Sequence, residues 1–488
     1  MPIFFKYTVI RNLLTLSFLS LILFTVVGCA TNPVTGQSQF MLVSEEHEIQ
    51  MGKELYPNAL WGAEGGGGEF KDDRTKAYLK NIVSNIHRTS HRPNLPIDFA
   101  IQNSSVPNAW AIPGHVVITR GLLAGLDNEA EFAFVMGHEM GHVSARHSAS
   151  QMSLSILHQA LLAGAGIALA GSDYSDAALS LGAIGSSLLL LKYSRDDELE
   201  ADGLGVQYMT KLGYNPRNAV SAHMNLEKVS NEYLKSLGKG TQERGFFEDL
   251  LSTHPRTSVR VEEIQAIINR TPQPPLKGDG ANKQQFQTII AGLKKVNNTY
   301  SSYYDKAVIA LKNKNLDEAM IQISKAITID QTQAPFYSLS GFIMLKKKSP
   351  ENAEKYFNYA LRLDNNYQPA IRGMGAIRYA KGNYAESIQY LKKSIALFPE
   401  DMNAHYFLGM SYFKTSAYKT AANHLKLFAD THPKHPSIHG VLGLCYENIN
   451  DPNSARKEYA AQLSVAPNSD MGKRASTRLQ AIGVKATK

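Results

Sequence analysis

Apolar residues with helical spacing mark one stretch in the first half of this chain of 488 residues. From 128 to 147 they recur every three to four positions without proline, which predicts a buried helix. A second helix is predicted over 194–209. Between them, residues 154–191 are rich in Ala, Leu, Gly and Ser and are interrupted at 171–176, so neither half is long enough to span a bilayer. We expect a helical hairpin there, which is either a movable lid or part of the core.

In the second half of the chain, small residues recur at an interval of 34 positions. They are Ala319, Ala353, Ser387, Ala421 and Ala455, preceded at twelve positions by Ala307, Gly341, Gly375, Gly409 and Gly443, and followed at twelve by Pro399, Pro433 and Pro467 in the last three cases. Small residues where two helices touch, and proline where the second helix ends, are typical of tetratricopeptide (TPR) repeats. The pattern predicts an α-α superhelical solenoid of five repeats over about 300–468, with a capping helix at 470–482.

The first predicted helix contains the pentad His138-Glu139-Met140-Gly141-His142. On a helix its two histidines lie one turn apart on the same face, and two neutral imidazoles at that spacing can hold two corners of a tetrahedral Zn²⁺ site. Glu139 points away from this pair and is placed to take a proton from water. The alternative is a buried helix with two hydrogen-bonded histidines, because so short a pattern also arises by chance.

A zinc site of this kind needs a third protein ligand, and its position distinguishes the subclasses. The metzincin pattern requires glycine and histidine where this chain has Ser144 and Ser148. In the second predicted helix, Glu198 and Asp202 are one turn apart, and they offer a carboxylate ligand and an acceptor for the other N–H of a bound histidine. Taken alone, an acidic helix start is explained as well by the helix dipole.

On these motifs, residues 40–265 resemble the periplasmic BepA/LoiP branch of the HtpX and CAAX-prenyl-protease-like zinc metallopeptidases. In that family an HExxH helix is followed by an ExxxD-type helix whose glutamate is the third ligand. The resemblance implies one Zn²⁺ per chain, with ligands His138, His142 and Glu198, base Glu139, and Asp202 as support for a histidine. It also implies an α+β zincin-type domain with a small sheet, so that the protein as a whole is mainly α.

Two further segments carry the resemblance. Residues 108–122 resemble the family's strand and turn before the active-site helix. An extended substrate would pair there with the backbone of Asn108, Ala109, Trp110 and Ala111. Residues 252–256 resemble the family's Thr-His-Pro motif, and Arg260 follows it as a further candidate catalytic residue. The resemblance implies that His254 is a self-inhibitory fourth zinc ligand; alternatively, it is a structural histidine at a helix start.

The chain begins with a long apolar run that has Lys6 and Arg11 at its polar end, which predicts a secretory signal over residues 1–28. The run ends in Val-Val-Gly-Cys29, which resembles a bacterial lipoprotein processing site, so we expect lipidation of Cys29. Ala30 stands where inner-membrane lipoproteins carry aspartate, which favours the outer membrane. The alternative is an uncleaved membrane anchor.

A cluster of proline and glycine at 269–280 ends the first domain. The predicted domains are a signal peptide (1–28), a zinc metallopeptidase domain (29–268), a linker (269–299) and a TPR domain with its capping helix (300–488). Residues 301–488 carry 25 basic and 15 acidic side chains, whereas residues 29–300 carry 24 and 28. The basic excess is either a solvated surface or a groove for acidic peptides or anionic lipid headgroups. Export of the protein argues against nucleic acid as a partner.

Together these features predict a zinc-dependent endopeptidase, lipid-anchored in the bacterial periplasm, that degrades misfolded or stalled outer-membrane and envelope proteins. Its expected partners are unfolded or misassembled envelope proteins and, through the TPR groove, the outer-membrane assembly machinery. Two other functions stay open. One is a TPR chaperone or adaptor for outer-membrane protein assembly in which proteolysis is secondary. The other is a hydrolase of peptidoglycan crosslinks.

Overall fold

The structure is a computed structural model, and it describes residues 29–62, 66–157, 193–237, 258–272 and 275–485. The chain divides into two compact units, an N-terminal unit (Met1–Ser301) and a C-terminal unit (Ser302–Lys488). The predicted signal peptide, most of the apolar stretch at 154–191 and the Thr-His-Pro motif with His254 lie outside the described residues. Within the described residues, no helix combines the length and the apolar character needed to cross a bilayer.

The N-terminal unit is mainly helical and contains two small sheets, where the family resemblance implied a single small sheet. Its strands are β1 (Cys29–Thr31), β2 (Ser38–Phe40), β3 (Asp98–Gln102), β4 (Ala109–Ile112) and β5 (His115–Thr119). Its helices with defined ends are α1 (Glu45–Gly62), α2 (Asp73–Thr89), α3 (Arg120–Gly125), α4 (Glu129–Ala145), α5 (Arg195–Lys211), α6 (Asn218–Ser236), α7 (Ser258–Arg270) and α8 (Lys283–Thr299). Strands β1 and β2 pair antiparallel. The second sheet has the order β3-β5-β4, in which β5 is parallel to β3 and antiparallel to β4.

Helix α4 runs through the core of the N-terminal unit, and all its residues from Glu129 to Ala145 are buried. Asn128 caps its first turn, because its side chain accepts a hydrogen bond from the backbone N–H of Glu131 at 2.9 Å. The helix ends at Arg146, whose left-handed backbone (φ 62°) cannot continue it. The predicted buried helix over 128–147 is therefore confirmed, and it ends two residues earlier than predicted.

Helices α4 and α5 touch through their backbones. A Cβ atom on Gly137 would lie 3.1 Å from the Cα of Gly205, and one on Gly141 would lie 3.1 Å from the Cα of Ala201. Larger side chains at these four positions would hold the helices apart, since the space between the two backbones is already closed. The small residues therefore set how closely the two helices approach each other.

Helix α8 corrects the prediction of a linker over 269–299. Its apolar residues Phe286, Ile290 and Leu293 are fully buried in the core that surrounds α4. Their spacing of four and three positions is that of an amphipathic helix, which buries one face against a neighbour. The proline- and glycine-rich stretch at 269–280 precedes α8 in the chain and does not include it.

The C-terminal unit consists of paired helices. After a π-helical turn at Tyr300–Tyr304, the helices are α9 (Asp305–Lys312), α10 (Leu316–Ile329), α11 (Ala334–Lys346), α12 (Pro350–Leu363), α13 (Gln368–Ala380), α14 (Tyr384–Leu397), α15 (Met402–Lys414), α16 (Tyr418–Thr431), α17 (Ile438–Asn448), α18 (Pro452–Val465) and α19 (Asp470–Lys485). The second helices of the five pairs begin at Leu316, Pro350, Tyr384, Tyr418 and Pro452, which reproduces the interval of 34 residues. The predicted five repeats and the capping helix α19 are confirmed.

Within each repeat, the small residues lie where the two helices touch. A Cβ atom on Gly341 would lie 2.6 Å from the ring of Phe357, and one on Gly409 would lie 2.6 Å from Leu425. The turn between the paired helices also recurs every 34 residues in a left-handed conformation. These positions are Lys314, Lys348, Gly382, Ser416 and Asn450, with φ between 59° and 79°. Glycine therefore occupies only one of the five left-handed turns.

We expect Gly205→Leu to push α5 away from α4, because a Cβ atom at this position would lie 3.1 Å from the backbone nitrogen of His138. Overpacking of this kind destabilises a protein by about 1–3 kcal/mol. Gly203→Leu on the same helix is the matched control, since a Cβ atom there lies 3.7 Å from its nearest neighbour, Ile267. Urea unfolding should show the loss only for Gly205→Leu. Equal stability of the two variants would contradict the backbone contact.

Candidate metal centre

Three donor side chains meet where α4 and α5 cross. The Nε2 atoms of His138 and His142 are 3.1 Å apart. The carboxylate oxygens of Glu198 lie 3.7 Å from Nε2 of His138 and 3.4 Å from Nε2 of His142. All three side chains are buried, and together they form a group that can hold a metal ion. The structure thus brings together the three residues that the sequence analysis named as ligands.

Helix α5 begins with a capping box formed by Ser194 and Asp197, and Glu198 is the next residue. The backbone N–H of Asp197 donates to Oγ of Ser194 at 3.1 Å, and the backbone N–H of Ser194 donates to Oδ2 of Asp197 at 2.9 Å. These reciprocal bonds fix the start of the helix, and with it the direction of the next side chain. Asp202 follows one turn later on the same face.

The spacing of the three donors fits a tetrahedral metal ion. With zinc–ligand bonds of about 2.0–2.1 Å, neighbouring donors in a tetrahedral site are about 3.3 Å apart, which is close to the separations observed. Nδ1 of His138 lies 2.8 Å from Oδ1 of Asp202, which can only accept, so Nδ1 is the nitrogen that donates. If Nε2 is unprotonated in both rings, as metal binding requires, two lone pairs face each other at 3.1 Å, and a cation between them would remove their repulsion.

Charge balance also favours a divalent cation. Among the described residues at the centre, Glu139, Glu198 and Asp202 contribute three negative charges and Arg260 contributes one positive charge. All four side chains are buried, with at most 4% of their surface exposed. Excess charge is costly in a buried place unless it is compensated. A divalent metal ion between the histidines would neutralise the remaining two negative charges.

Asp202 orients His138 and is itself held by Arg260. Nε and Nη2 of Arg260 donate to the two oxygens of Asp202, both at 2.7 Å, and Nη1 lies 2.6 Å from Oε2 of Glu198. Burial alone would raise the pKa of Asp202, but the hydrogen bonds from Arg260 and His138 hold this pKa well below its usual range. Arg260, which the sequence suggested as catalytic, thus binds the two carboxylates that define the centre.

His142 is oriented by a second histidine that the sequence analysis did not single out. Nδ1 of His142 lies 2.8 Å from Nδ1 of His147, and Nε2 of His147 lies 3.2 Å from a carboxylate oxygen of Glu200. If His142 binds a metal through Nε2, its Nδ1–H donates to His147, whose own Nε2–H then donates to Glu200. The left-handed residue Arg146 turns the chain so that His147 faces back to the centre. A histidine five positions after the motif was the only signal in the sequence.

Tyr193 covers the other side of His142. The two rings are stacked, with centroids 3.9 Å apart and planes 17° apart. The hydroxyl of Tyr193 lies 2.8 Å from Oγ of Ser148. Burial raises the pKa of Tyr193, so its phenol stays neutral and adds no charge to the centre.

The predicted substrate strand is β4 together with the residue before it. In the order β3-β5-β4, β4 lies at the edge of the sheet. Asn108 and Ala109 line a cavity beside the HExxH helix. Ala111 packs on the same side of the sheet as Ala109. Trp110 packs on the opposite side, against α1, so its side chain faces away from the centre.

His223 on α6 is a second residue that the sequence analysis missed. Its Nε2 lies 3.5 Å from Oδ1 of Asp202, and its ring centroid is 5.5 Å from that of Phe134. Burial lowers the pKa of His223, although the neighbouring Asp202 raises it, so this side chain is neutral at pH 7. Its position in the chain bears no relation to the HExxH motif. Only the packing of α6 against α4 brings it to the centre.

Comparison with known proteins agrees with this geometry. The sequence profile described as peptidase family M48 matches residues 73–268, and two tetratricopeptide-repeat profiles match residues 300–333 and 373–436. The metalloprotease YcaL of Escherichia coli is 30% identical over 199 residues, which cover 40% of this chain and 69% of that protein.

Two further relatives match over a smaller share of their length. The β-barrel assembly-enhancing protease of Escherichia coli is 28% identical over 246 residues, which cover 49% of this chain and 47% of that protein. The mitochondrial metalloendopeptidase OMA1 of Arabidopsis thaliana is 29% identical over 215 residues, which cover 44% of this chain and 40% of that protein. The chain thus spans about half the length of these two relatives.

An HExxH helix whose histidines meet a glutamate from a second helix defines the metal site of a zincin-type peptidase. The match to YcaL and the profile match over the same residues agree with that class. The chain belongs to peptidase family M48, with tetratricopeptide repeats in its C-terminal half. The resemblance inferred from the sequence is confirmed.

We expect His138→Ala, His142→Ala and Glu198→Ala each to lower metal occupancy strongly, because each removes one of three protein donors. Asp202→Ala should act more mildly and weaken metal binding on the order of 10–100-fold, since it removes only a support of His138. Elemental analysis of the purified variants by mass spectrometry measures this. Full metal content in Glu198→Ala would show that the third ligand is another residue.

We expect His147→Ala to weaken metal binding on the order of 10–100-fold, because His142 loses the acceptor that fixes its ring. The exposed His47 provides the control variant His47→Ala. Competition with a chromophoric chelator measures the dissociation constant of each protein. If His147→Ala binds the metal as tightly as His47→Ala does, His147 has no role in orienting His142.

Proposed function

We propose that this protein is a zinc-dependent endopeptidase. The observation that carries the proposal is the buried group His138, His142 and Glu198, with Glu139 on the same helix as the two histidines. When bound there, zinc polarises the scissile carbonyl and lowers the pKa of a water molecule. Three nitrogen and oxygen donors from protein side chains are the set that catalytic zinc sites use.

The side chains of this chain supply the remaining chemistry. The carboxylate of Glu139 takes a proton from the attacking water and passes it to the nitrogen of the leaving amine. Residues 108–111 at the sheet edge hold the substrate in an extended form by backbone pairing. Asp202 and His147 keep the two histidines in the ring orientation and tautomer that leave Nε2 unprotonated.

We further propose that the enzyme works in the bacterial periplasm, attached to the outer membrane by lipid at Cys29. The apolar run before Cys29, its Val-Val-Gly-Cys ending and Ala30 support this location. The substrates would be misfolded or stalled outer-membrane and envelope proteins. The support for this substrate class is the relative that is named a β-barrel assembly-enhancing protease.

The C-terminal unit is proposed to bind substrates or the outer-membrane assembly machinery. A groove of about 470 Å³ in its second repeat is lined by Tyr337, Met344, Asn352, Lys355, Tyr356, Tyr359 and Arg362. The guanidinium of Arg362 lies 4.7 Å from the centre of the Tyr359 ring. Aromatic rings beside two positive charges suit an extended segment that carries acidic and apolar side chains.

A second candidate function is that of an adaptor for outer-membrane protein assembly in which proteolysis is secondary. The groove in the repeats favours it, because this groove lies in the C-terminal unit, whereas His138, His142 and Glu198 lie in the N-terminal unit. His254 remains proposed, from the family resemblance, as an inhibitory fourth ligand. The stretch at 154–191 remains proposed as a lid or as part of the core.

We expect Glu139→Gln to keep its metal and to lose cleavage of an unfolded protein, because glutamine cannot accept the proton from water. Loss of general-base function typically lowers rates by about 10²–10⁴-fold. Glu54→Gln on the exposed side of α1 is the matched control. Gel analysis of reduced, alkylated casein at equal zinc content measures cleavage, and purified peptidoglycan serves as the alternative substrate.

Each outcome of this experiment distinguishes between the candidate functions. Cleavage of casein that persists in Glu139→Gln would exclude the proposed mechanism. Release of peptidoglycan fragments in place of casein cleavage would favour a crosslink hydrolase. If the metal-loaded, inactive variant restores every phenotype of a deletion strain, the adaptor function is the main one. Proteins captured on the same variant identify its substrates.

We expect Cys29→Ser to prevent lipid attachment, because serine lacks the thiol that is acylated. The variant should appear as an uncleaved precursor or as a soluble periplasmic form. A bacterial lipoprotein carries several acyl chains, so the wild-type protein should stay with the membrane after a salt wash. Fractionation followed by immunoblotting measures this. Wild-type protein found entirely in the soluble fraction would contradict the anchor.

A further inference from the structure

A buried group of charged side chains lies at the carboxyl end of the HExxH helix α4. It consists of Glu48 on α1, which is 1% exposed, and of Arg92 and Arg146, which are each 8% exposed. Nη1 and Nη2 of Arg92 donate to the two oxygens of Glu48 at 3.1 and 3.2 Å, and Nε of Arg146 donates to Oε2 of Glu48 at 3.0 Å. Buried ion pairs add little to stability, because the loss of hydration offsets their attraction. Stability alone therefore does not account for this group.

We propose that Glu48 is a positioning residue of the metal centre. It holds the side chain of Arg146, and Arg146 forms the left-handed turn that directs His147 back to His142. Glu48 acts on His142 through these two residues, although it stands 98 positions before Arg146 in the chain. This role rests on the metal centre and therefore on the proposed peptidase function.

The turn at Arg146 needs to be held in place. Its backbone has φ 62° and ψ 34°, a conformation that residues other than glycine, asparagine and aspartate seldom adopt. Such a conformation persists only where the surrounding structure fixes it. Here the backbone and the side chain are both fixed. The backbone N–H is directed to the carbonyls of His142 and Val143, and Nη2 donates to the carbonyl of Val43 at 2.9 Å. The carboxylate of Glu48 compensates the charge of the guanidinium.

Arg92 fixes Glu48 relative to α4. Besides its two bonds to Glu48, it donates from Nη1 to the carbonyl of Val143 at 2.9 Å. Carbonyls in the last turn of a helix lack partners within the helix, so a positively charged donor is favourable there. Glu45 pairs with the same arginine at 3.0 Å, but its side chain is 61% exposed, and exposed ion pairs contribute little. Glu48 is therefore the buried carboxylate that links the end of α4 to the turn that follows it.

The contact between His147 and His142 leaves little tolerance for a shift of this turn. The two Nδ1 atoms are 2.8 Å apart. Donor–acceptor distances in protein hydrogen bonds rarely exceed about 3.2 Å, so a movement of roughly 0.5 Å would weaken the contact. His142 would then lose the acceptor that sets its ring orientation and tautomer. Loss of the charge on Glu48 should therefore reach the metal centre as weaker binding of the metal.

Glu48→Gln removes the charge and keeps the shape of the side chain. Glu46→Gln is the matched control, since Glu46 lies on the same helix and is exposed. Competition with a chromophoric chelator measures the dissociation constant for zinc, and the visible absorption of the cobalt-loaded proteins reports the arrangement of the donors. We expect Glu48→Gln to bind zinc about tenfold more weakly than Glu46→Gln and to change the cobalt spectrum, because an outer partner of a metal ligand is displaced. Equal zinc affinity and an identical spectrum in the two variants would overturn the proposal.

Two substitutions of Arg146 test the route through the turn. Arg146→Gly loses the side chain but keeps the turn, because glycine adopts a positive φ without strain, whereas Arg146→Ala disfavours the turn as well. We expect Arg146→Ala to bind zinc more weakly than Arg146→Gly by about threefold or more, since the left-handed backbone is costly for alanine. Adding Glu48→Gln to Arg146→Gly should cost less than about threefold, because the side chain through which Glu48 acts is then absent. The full loss in this double variant would show that Glu48 does not act through Arg146.

The same measurements separate this role from the proposed activity. Cleavage of casein by the wild type, with zinc affinity unchanged in Glu48→Gln, would contradict the role of Glu48 and leave the peptidase intact. A loss of zinc affinity in Glu48→Gln, with no cleavage by the wild type, would contradict the peptidase and support the role of Glu48. If Glu48→Gln does not fold, Arg146→Gly and Arg146→Ala decide, and equal zinc affinity of these two variants would overturn the proposal.

Discussion

The backbone contact between α4 and α5 is the constraint on which the centre depends. His138 and His142 come from one helix and Glu198 from another, so the packing of these two helices sets the distance between the donors. Packed helices are normally 8–10 Å apart, and the separation depends on the side chains at the contact. Glycine facing glycine, and glycine facing alanine, brings the donors to within 3.1–3.7 Å of one another. Bulkier side chains at this contact would move Glu198 too far from His138 and His142 for the three to share a metal ion.

The three candidate ligands could be predicted because helical periodicity places their side chains. His138 and His142 are one turn apart, as are Glu198 and Asp202, so each pair could be assigned to one helix face from the sequence alone. The repeats were predictable for a related reason. Positions such as Gly341 and Ala353 recur at a fixed interval because each repeat makes the same local contact between its two helices.

The remaining features depend on contacts that no local pattern encodes. His147 follows the left-handed residue Arg146, so helical spacing no longer indicates where it points. His223 reaches Asp202 only because α6 packs against α4. Helix α8 was assigned to a linker because proline and glycine precede it, although Phe286 and Ile290 have helical spacing. The order β3-β5-β4, which puts β4 at the edge, is likewise a result of tertiary structure.

In three of the left-handed turns of the repeats, glycine would suit the backbone better than the residue that is present. Such a turn strains an L-residue by about 1–2 kcal/mol, and asparagine tolerates it better than lysine or serine. Gly382 shows that the turn accepts glycine, whereas Lys314, Lys348 and Ser416 keep the strain. Glycine would relieve it, offset in part by the greater freedom of glycine in the unfolded chain. Glycine at Lys314, Lys348 or Ser416 would give those repeats the turn that the third repeat already has at Gly382.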